Sequence, residues 1–346
     1  MQECTSQNGV CPHICILVAI DFKSPYNPLP MKTLPFCLLL FFAANFSIYA
    51  ETDHQPASYL RVHQSTNDVH TLEIAWRSFK AADGSGPTLW LGGVSHLGTT
   101  NYYAQIQEQL NKADLVLYEG VNDAQADGDA KPFAETPEQD AGAQAILADM
   151  LGLVFQLNHI DYSPAHFEHC DMDMDTLMRE IAGEDPASTN GTQEAFDQLS
   201  ASMSGAASST QLLEVVGVLV KAMPKMQSVV KLLLIETLGH LPSDLSQIEG
   251  LPPEMVELME VLLNRRNEIV LKRVATVKTE LTSGQSATIF YGAAHNIHLE
   301  QELVKQGYVQ QEETWYPAMS VDLADTGLSR EQVTFFRQII KMQLAK

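Results

Sequence analysis

Two stretches of this chain repeat one pattern, and that repeat constrains the fold more than any other feature. Residues 89–96 are LWLGGVSH and residues 288–295 are TIFYGAAH, so each is an apolar run that ends in Gly-x-x-His. Apolar runs of this length predict buried strands, and a glycine suits a sharp turn at a strand's carboxyl end. Ligands in α/β sheets bind at that end. We therefore predict two strand–turn–helix units that bring His96 and His295 to one cleft.

The rest of the pattern predicts an α/β fold of the mixed α+β kind. Apolar or alternating runs predict strands at 59–62, 72–76, 88–91, 115–118, 287–291 and 308–321. Thr99 or Thr100 is expected to cap the first helix, and Ser329-x-x-Gln332 is a capping box for the last one. Residues from about 143 to 280 lack strand signals, so they predict a large helical insertion.

The N-terminal residues have the pattern of an export signal. From Met31, a single lysine leads into the apolar run Leu34–Phe46, and small residues end the segment at Ala50. The run is shorter than the roughly 20 residues of a membrane span. We expect residues 1–30 to be a non-native upstream extension, 31–50 a signal peptide, and 51–346 an exported domain, periplasmic or secreted. An uncleaved N-terminal anchor is the alternative; after signal removal no stable membrane span is expected.

Charge and cysteine content narrow the possible partners. The formal net charge of −22 argues against nucleic acid and anionic lipid surfaces. Of the five cysteines only Cys170 lies beyond residue 50, so the exported domain is not built on intramolecular disulfides.

Glu119 is the third candidate for the site, because it ends the apolar run 115–118. Two imidazoles and one carboxylate leave open positions on a divalent metal ion, which could polarise a carbonyl or generate a bound hydroxide. We predict His96, Glu119 and His295 as both metal-binding and catalytic residues. The alternative for Glu119 is a salt bridge or a favourable interaction with a helix dipole.

Two further groups are secondary candidates. One is a dense set of possible ligands: His159, His166, His169, Asp171, Asp173 and Asp175. His166 and His169 would share a helix face and suit a metal, whereas the aspartates could simply cap the helix that follows. We expect His169 to line the main cleft. Arg266 could orient Glu119 or bind a substrate carboxylate through a bidentate pair, or be a surface charge beside Arg265.

Together these residues resemble the TraB/PrgY/GumN family of the TIKI clan, in its exported bacterial branch. The resemblance spans about residues 88–320; the segments 159–162 and 166–171 and the pair Arg266-Asn267 add to it. It implies a mixed sheet with a helical insertion. Animal members of the family are described as metal-dependent peptidases that use the two motif histidines and the glutamate. The implied site residues are Gly93, His96, Glu119, Gly292 and His295, with Arg266 in support.

The resulting expectation is an exported metal-dependent hydrolase, above all a peptidase acting on a peptide or protein substrate. The ion would be Mn²⁺, Co²⁺ or Zn²⁺. One alternative is a protein of the same fold that binds or sequesters a peptide or small ligand without turnover. A second is a structural member that keeps the motif only for folding. The sequence indicates no oligomeric state.

Overall fold

Two sheets of unequal size organise the chain. The computed structural model describes residues 57–120, 143–182, 192–193, 196–197, 216–243 and 252–344. The predicted extension and signal peptide, residues 1–50, lie outside these ranges. The strands are β1 Leu60–Gln64, β2 Val69–Ala81, β3 Thr88–Val94, β4 Leu97–Gly98, β5 Leu115–Tyr118, β6 Val154–Phe155, β7 Phe167–His169, β8 Ser286–Gly292 and β9 Tyr308–Asp322.

The main sheet is mixed, as the sequence predicted. Its order is β1-β2-β3-β8-β5-β7, with β9 also paired to β2. The long strand β2 is antiparallel to β9 along one edge and to β1 and then β3 along the other. The pairs β3–β8, β8–β5 and β5–β7 are all parallel. The carboxyl ends of these four strands therefore lie at one edge of the sheet, while β4 and β6 form a separate two-stranded ribbon.

Helices alternate with these strands along the chain, and two of them begin at the predicted caps. They are α1 Thr100–Leu110, α2 Ala143–Met150, α3 Met174–Ala182, α4 Pro224–Leu238, α5 Pro253–Met259, α6 Arg266–Glu280, α7 Asn296–Lys305, α8 Leu323–Thr326 and α9 Arg330–Leu344, with a π-helical turn, Glu260–Arg265, between α5 and α6. Thr99 caps α1, since its hydroxyl accepts from the Tyr102 N–H at 3.2 Å. Ser329 and Gln332 form the predicted reciprocal capping box.

Three sequence expectations were wrong. The region 143–280 is not helical throughout, because it contains β6 and β7. β7 has only three residues, too few to show a period-two pattern, and His169 lies on this strand, so it does not share a helix face with His166. Gly93 lies inside β3 and does not end it.

The core is continuous across the sheet. The parallel strand β8 is buried on both faces, as Ile289 and Phe290 show, whereas β3 has Leu89 and Leu91 fully buried on one face and Trp90 partly buried on the other. Each fully buried side chain of this kind contributes on the order of 1.5–3 kcal/mol to folding. In the part of the chain that the structure describes, no helix has the length and apolar character needed to cross a bilayer.

A buried ion cluster fastens the C-terminal helix α9 to the body of the protein. Glu236 on α4 accepts hydrogen bonds from Arg337 Nε and Nη2, both at 2.8 Å, and contacts His70 Nδ1 at 2.8 Å. Its side chain is 1% exposed. Burial alone would raise the pKa of Glu236, but hydrogen bonds from Arg337 and His70 lower it from 4.5 to about 2.

This depressed pKa predicts acid lability with a definite sign. A carboxyl whose pKa is lowered by folding contributes stability above its unfolded pKa, and that stability is lost as pH falls through the folded pKa. For Glu236 the contribution is about 3 kcal/mol, lost between about pH 5 and pH 2. The difference in the free energy of unfolding between wild type and Glu236→Gln, measured in urea, should therefore decrease by about 3 kcal/mol as the pH is lowered from about 5 to about 2. Glu268→Gln, at an exposed carboxylate, is the control; a constant difference for Glu236→Gln would contradict the prediction.

Candidate active site

The two Gly-x-x-His segments leave the sheet side by side. β3 and β8 are parallel neighbours, with Val94 opposite Gly292. A Cβ atom placed on Gly292 would lie 3.2 Å from Glu119 Oε2, 3.8 Å from His96 Nε2 and 3.7 Å from His295 Cδ2. The structure thus brings the three predicted residues around one small space above Gly292, which we call the Gly292 space.

Glu119 reaches this space from the strand on the other side of β8. Its Oε2 accepts from the Gly292 N–H at 2.6 Å, and its Oε1 accepts from Arg266 Nη2 at 2.8 Å. His295 Nε2 lies 3.4 Å from Oε1. Burial alone would raise the pKa of Glu119, but attraction to His295 in its protonated form and to the Arg266 guanidinium outweighs burial and holds that pKa well below 4.5. Glu119 is therefore a carboxylate at neutral pH.

His295 is held in one tautomer by Asn267. The Asn267 amide nitrogen donates to the main-chain oxygen of His295 at 3.1 Å, and a carbonyl oxygen can only accept. This fixes the amide, so Asn267 Oδ1 accepts from His295 Nδ1 at 2.8 Å. In the neutral ring, Nε2 then presents a lone pair to the Glu119 carboxylate. Two acceptors facing each other repel, and a proton or a cation between them removes the repulsion.

His96 has a matching amide partner. Its Nδ1 lies 3.0 Å from Gln156 Oε1, and Gln156 Nε2 donates to the Tyr162 hydroxyl at 2.8 Å. The two rings differ in exposure, because His295 is 4% exposed while His96 faces solvent. His96 is therefore the solvent-exposed member of the two motif histidines.

Arg266 is a buried organiser of the site and not a surface charge. It is the first residue of α6 and is 8% exposed. Its Nε and Nη2 form a bidentate pair with Asp171, at 3.0 and 2.5 Å, and Nη2 also reaches Glu119. Asp171 is fully buried and accepts from the N–H groups of Gly120 and Met172 as well. The neighbouring Arg265 is the surface residue, half-exposed and paired with Glu180.

The other secondary candidates, His169 and Asp173, have different structural roles. His169 Nε2 bonds to the carbonyl of Gly120, so this residue lies beside the site and supports its main chain. Asp173 caps α3 by accepting from the Thr176 N–H at 2.8 Å. Across the described ranges, no group of three or more His, Cys, Asp and Glu side chains has an arrangement that could hold a metal ion. His96, Glu119 and His295 therefore have the donor types of a metal site, but in this structure they are not arranged as a group that could hold an ion.

Sequence reasoning missed Gln156 and the roles of Tyr162 and Asp171. All three reach the site from segments that carry no strand or helix periodicity of their own. Polar side chains in such segments have many possible uses, so spacing alone does not identify their partners. Asn267 directly follows Arg266, and that adjacency was the only available signal for it.

Gly93 serves the site by permitting close packing. A Cβ on Gly93 would lie 2.9 Å from Asn296 Nδ2 and 3.0 Å from both the Ala75 main-chain oxygen and Ile74 Cγ2. The expected turn is therefore not the reason for this glycine; the reason is that α7 begins directly against β3. Gly93→Ala should lower the free energy of unfolding by about 1–3 kcal/mol, because backbone lies on one side of the added methyl. Gly284→Ala, in open space, should change it little; equal losses in urea denaturation would contradict this assignment.

The chain matches no protein-family model, no curated protein and no solved structure. The resemblance to the TraB/PrgY/GumN family therefore stays a prediction that rests on the motif residues.

Proposed function

We propose that this chain is an exported metal-dependent hydrolase of the TraB/PrgY/GumN type, above all a peptidase, with its active site at the Gly292 space. One observation carries the proposal: two imidazoles and a carboxylate surround that space, and each imidazole has its Nδ1 held by a side-chain amide. Histidines that bind catalytic metals are held through their second nitrogen in the same way. Two histidines and one glutamate are also the ligand types of catalytic zinc sites.

The residues fit a divalent ion in their chemistry. Mn²⁺, Co²⁺ or Zn²⁺ would be held by His96 Nε2, His295 Nε2 and the Glu119 carboxylate, and would supply Lewis acidity toward a substrate carbonyl and a water molecule. Arg266 keeps Glu119 ionised, and Asn267 keeps the proton of the neutral His295 ring on Nδ1. Without the ion, His295 Nε2 and Glu119 Oε1 lie 3.4 Å apart, so a proton on Nε2 would face the carboxylate.

A second candidate is a protein that binds a peptide or small ligand without turnover. It is favoured by the double use of Glu119, whose two oxygens are already hydrogen-bonded to the Gly292 N–H and to Arg266. A carboxylate bound in this way could serve to hold α6 and β8 together and leave only the histidines for ligand binding.

Metal titration and a peptide library separate the candidates. Purified protein is titrated with Mn²⁺, Co²⁺ and Zn²⁺ by calorimetry, and the loaded protein is incubated with a broad peptide library read by mass spectrometry. The hydrolase is expected to bind one equivalent of metal and cleave peptides, and His96→Ala and His295→Ala should lose both. His63→Ala, at an exposed residue of β1, is the control. Absence of stoichiometric binding overturns the metallohydrolase; binding without cleavage supports the second candidate.

A further inference from the structure

Gln156 contacts His96 at two points. Its main-chain N–H donates to the main-chain oxygen of His96 at 2.9 Å, and its Oε1 lies 3.0 Å from His96 Nδ1. The pairing of β4 with β6 lies next to these contacts, with Leu97 opposite Phe155. Both the main chain and the ring of His96 therefore contact Gln156, which lies 60 residues further along the chain.

Tyr162 anchors the other end of the Gln156 amide. Gln156 Nε2 donates to the Tyr162 hydroxyl at 2.8 Å, and the two residues are 6% and 7% exposed. The Tyr162 ring packs against Tyr118, with ring centroids 4.9 Å apart, and against Phe290 at 6.4 Å. Burial raises the pKa of Tyr162 well above its ordinary value, so the hydroxyl keeps its proton. Packing against Tyr118 and Phe290 thus holds the Tyr162 ring, and the Tyr162 hydroxyl fixes the far end of the Gln156 amide.

We infer that Gln156 and Tyr162 are a positioning pair, which keeps Nδ1 of His96 protonated and leaves its Nε2 bare and directed to the Gly292 space. The functional consequence rests on the proposed function, since a bare Nε2 is the form that binds a metal ion or accepts a proton. The tautomer itself does not depend on that function.

The pair differs from Asn267 in a way that makes it testable. Asn267 is fixed by a main-chain carbonyl, which only accepts. The partners of Gln156 are a hydroxyl and an imidazole, and each of these can donate or accept. With the Gln156 amide reversed, its NH₂ would face Nδ1 and the ring proton would move to Nε2, which blocks that nitrogen. The position of one proton on His96 therefore reports the orientation of Gln156.

Histidine ¹⁵N spectra of the metal-free protein, at a pH where the rings are neutral, measure this position directly. His96→Ala assigns the signals, and His295, held by Asn267, is an internal control for folding. Wild type should show protonated Nδ1 on both rings. Gln156→Met should move His96 to a mixture or to protonated Nε2 without changing His295. Gln156→Glu, which can only accept at this position, should restore the Nδ1–H form.

Two results would overturn the inference: protonated Nε2 on His96 in wild type, or an unchanged His96 signal in Gln156→Met. Tyr162→Phe provides a second variant if Gln156→Met alters the His295 control, and it should give partial loss of the Nδ1–H form. Where wild type binds Co²⁺, Gln156→Met should weaken that binding about 10–100-fold and Gln156→Glu should not. If wild type binds no metal, the proposed function fails while the tautomer measurement still decides this inference.

Discussion

Replacing Arg266 with methionine is expected to lower the free energy of unfolding by about 3–5 kcal/mol, the largest stability change predicted for this chain. Arg266 is 8% exposed and pairs with two carboxylates, Asp171 and Glu119. Methionine fills much of the same volume, but it leaves both carboxylates in a buried position without this cation. Removing one partner of a buried ion network leaves a buried charge without compensation. The resulting loss of stability is several times larger than that for breaking a surface ion pair. Urea denaturation at neutral pH measures it.

Arg265→Met is the matched control. Arg265 is the preceding residue, makes one ion pair with Glu180 and has a half-exposed side chain, so its loss should cost about 0–1 kcal/mol. Adding Asp171→Asn to Arg266→Met should recover part of the loss, because it removes one stranded charge. Similar losses for Arg265→Met and Arg266→Met would contradict the buried ion network.

The parts of the fold that could be predicted are those whose signals are local. The apolar runs of β3 and β8 lie within seven residues each. The caps at Thr99 and Ser329 bond to groups only three residues away. Such features depend on neighbours in the sequence, so a pattern search finds them. These local signals predict His96 and His295 at the carboxyl ends of two strands, and those strands are neighbours in the sheet.

The parts that could not be predicted depend on tertiary contacts. β7 is a strand only because its three residues pair with β5, and nothing in their composition distinguishes them from a loop. Gly93 is needed because Asn296, from the other end of the chain, packs against it. A sequence pattern carries no information on which distant side chain will approach a glycine.

The same division applies to the site. His96, Glu119 and His295 each follow a strand directly or within three residues, so their convergence could be inferred from topology. The supporting residues act through their neighbours: Asp171 holds Arg266, Gln156 holds His96, and Tyr162 in turn holds Gln156. Supporting residues of this kind are visible only when the hydrogen bonds are known.

Glu119→Gln is expected to abolish stoichiometric metal binding and to lower peptide hydrolysis by about 10²–10⁴-fold, the range for loss of a positioned proton-transfer group. Glutamine retains an oxygen for the Gly292 N–H, but its neutral NH₂ replaces the oxygen that faces Arg266 and His295. The stability cost should be about 1–3 kcal/mol, because Arg266 keeps its bidentate partner Asp171. Hydrolysis rates, metal titration and urea denaturation on one preparation measure all three effects.

Asp171→Asn separates the two roles that Glu119 could have. It also removes a carboxylate from Arg266, but Asp171 is bonded to main-chain N–H groups of Gly120 and Met172 and not to the Gly292 N–H. If Glu119 binds the metal and moves protons, Asp171→Asn should keep one equivalent of bound metal at lower affinity while Glu119→Gln binds none. If Glu119 acts only by holding Arg266, the two variants should lose hydrolysis equally and retain metal equally. That second outcome would leave the two histidines as the whole of the metal-binding site and would limit Glu119 to organising Arg266.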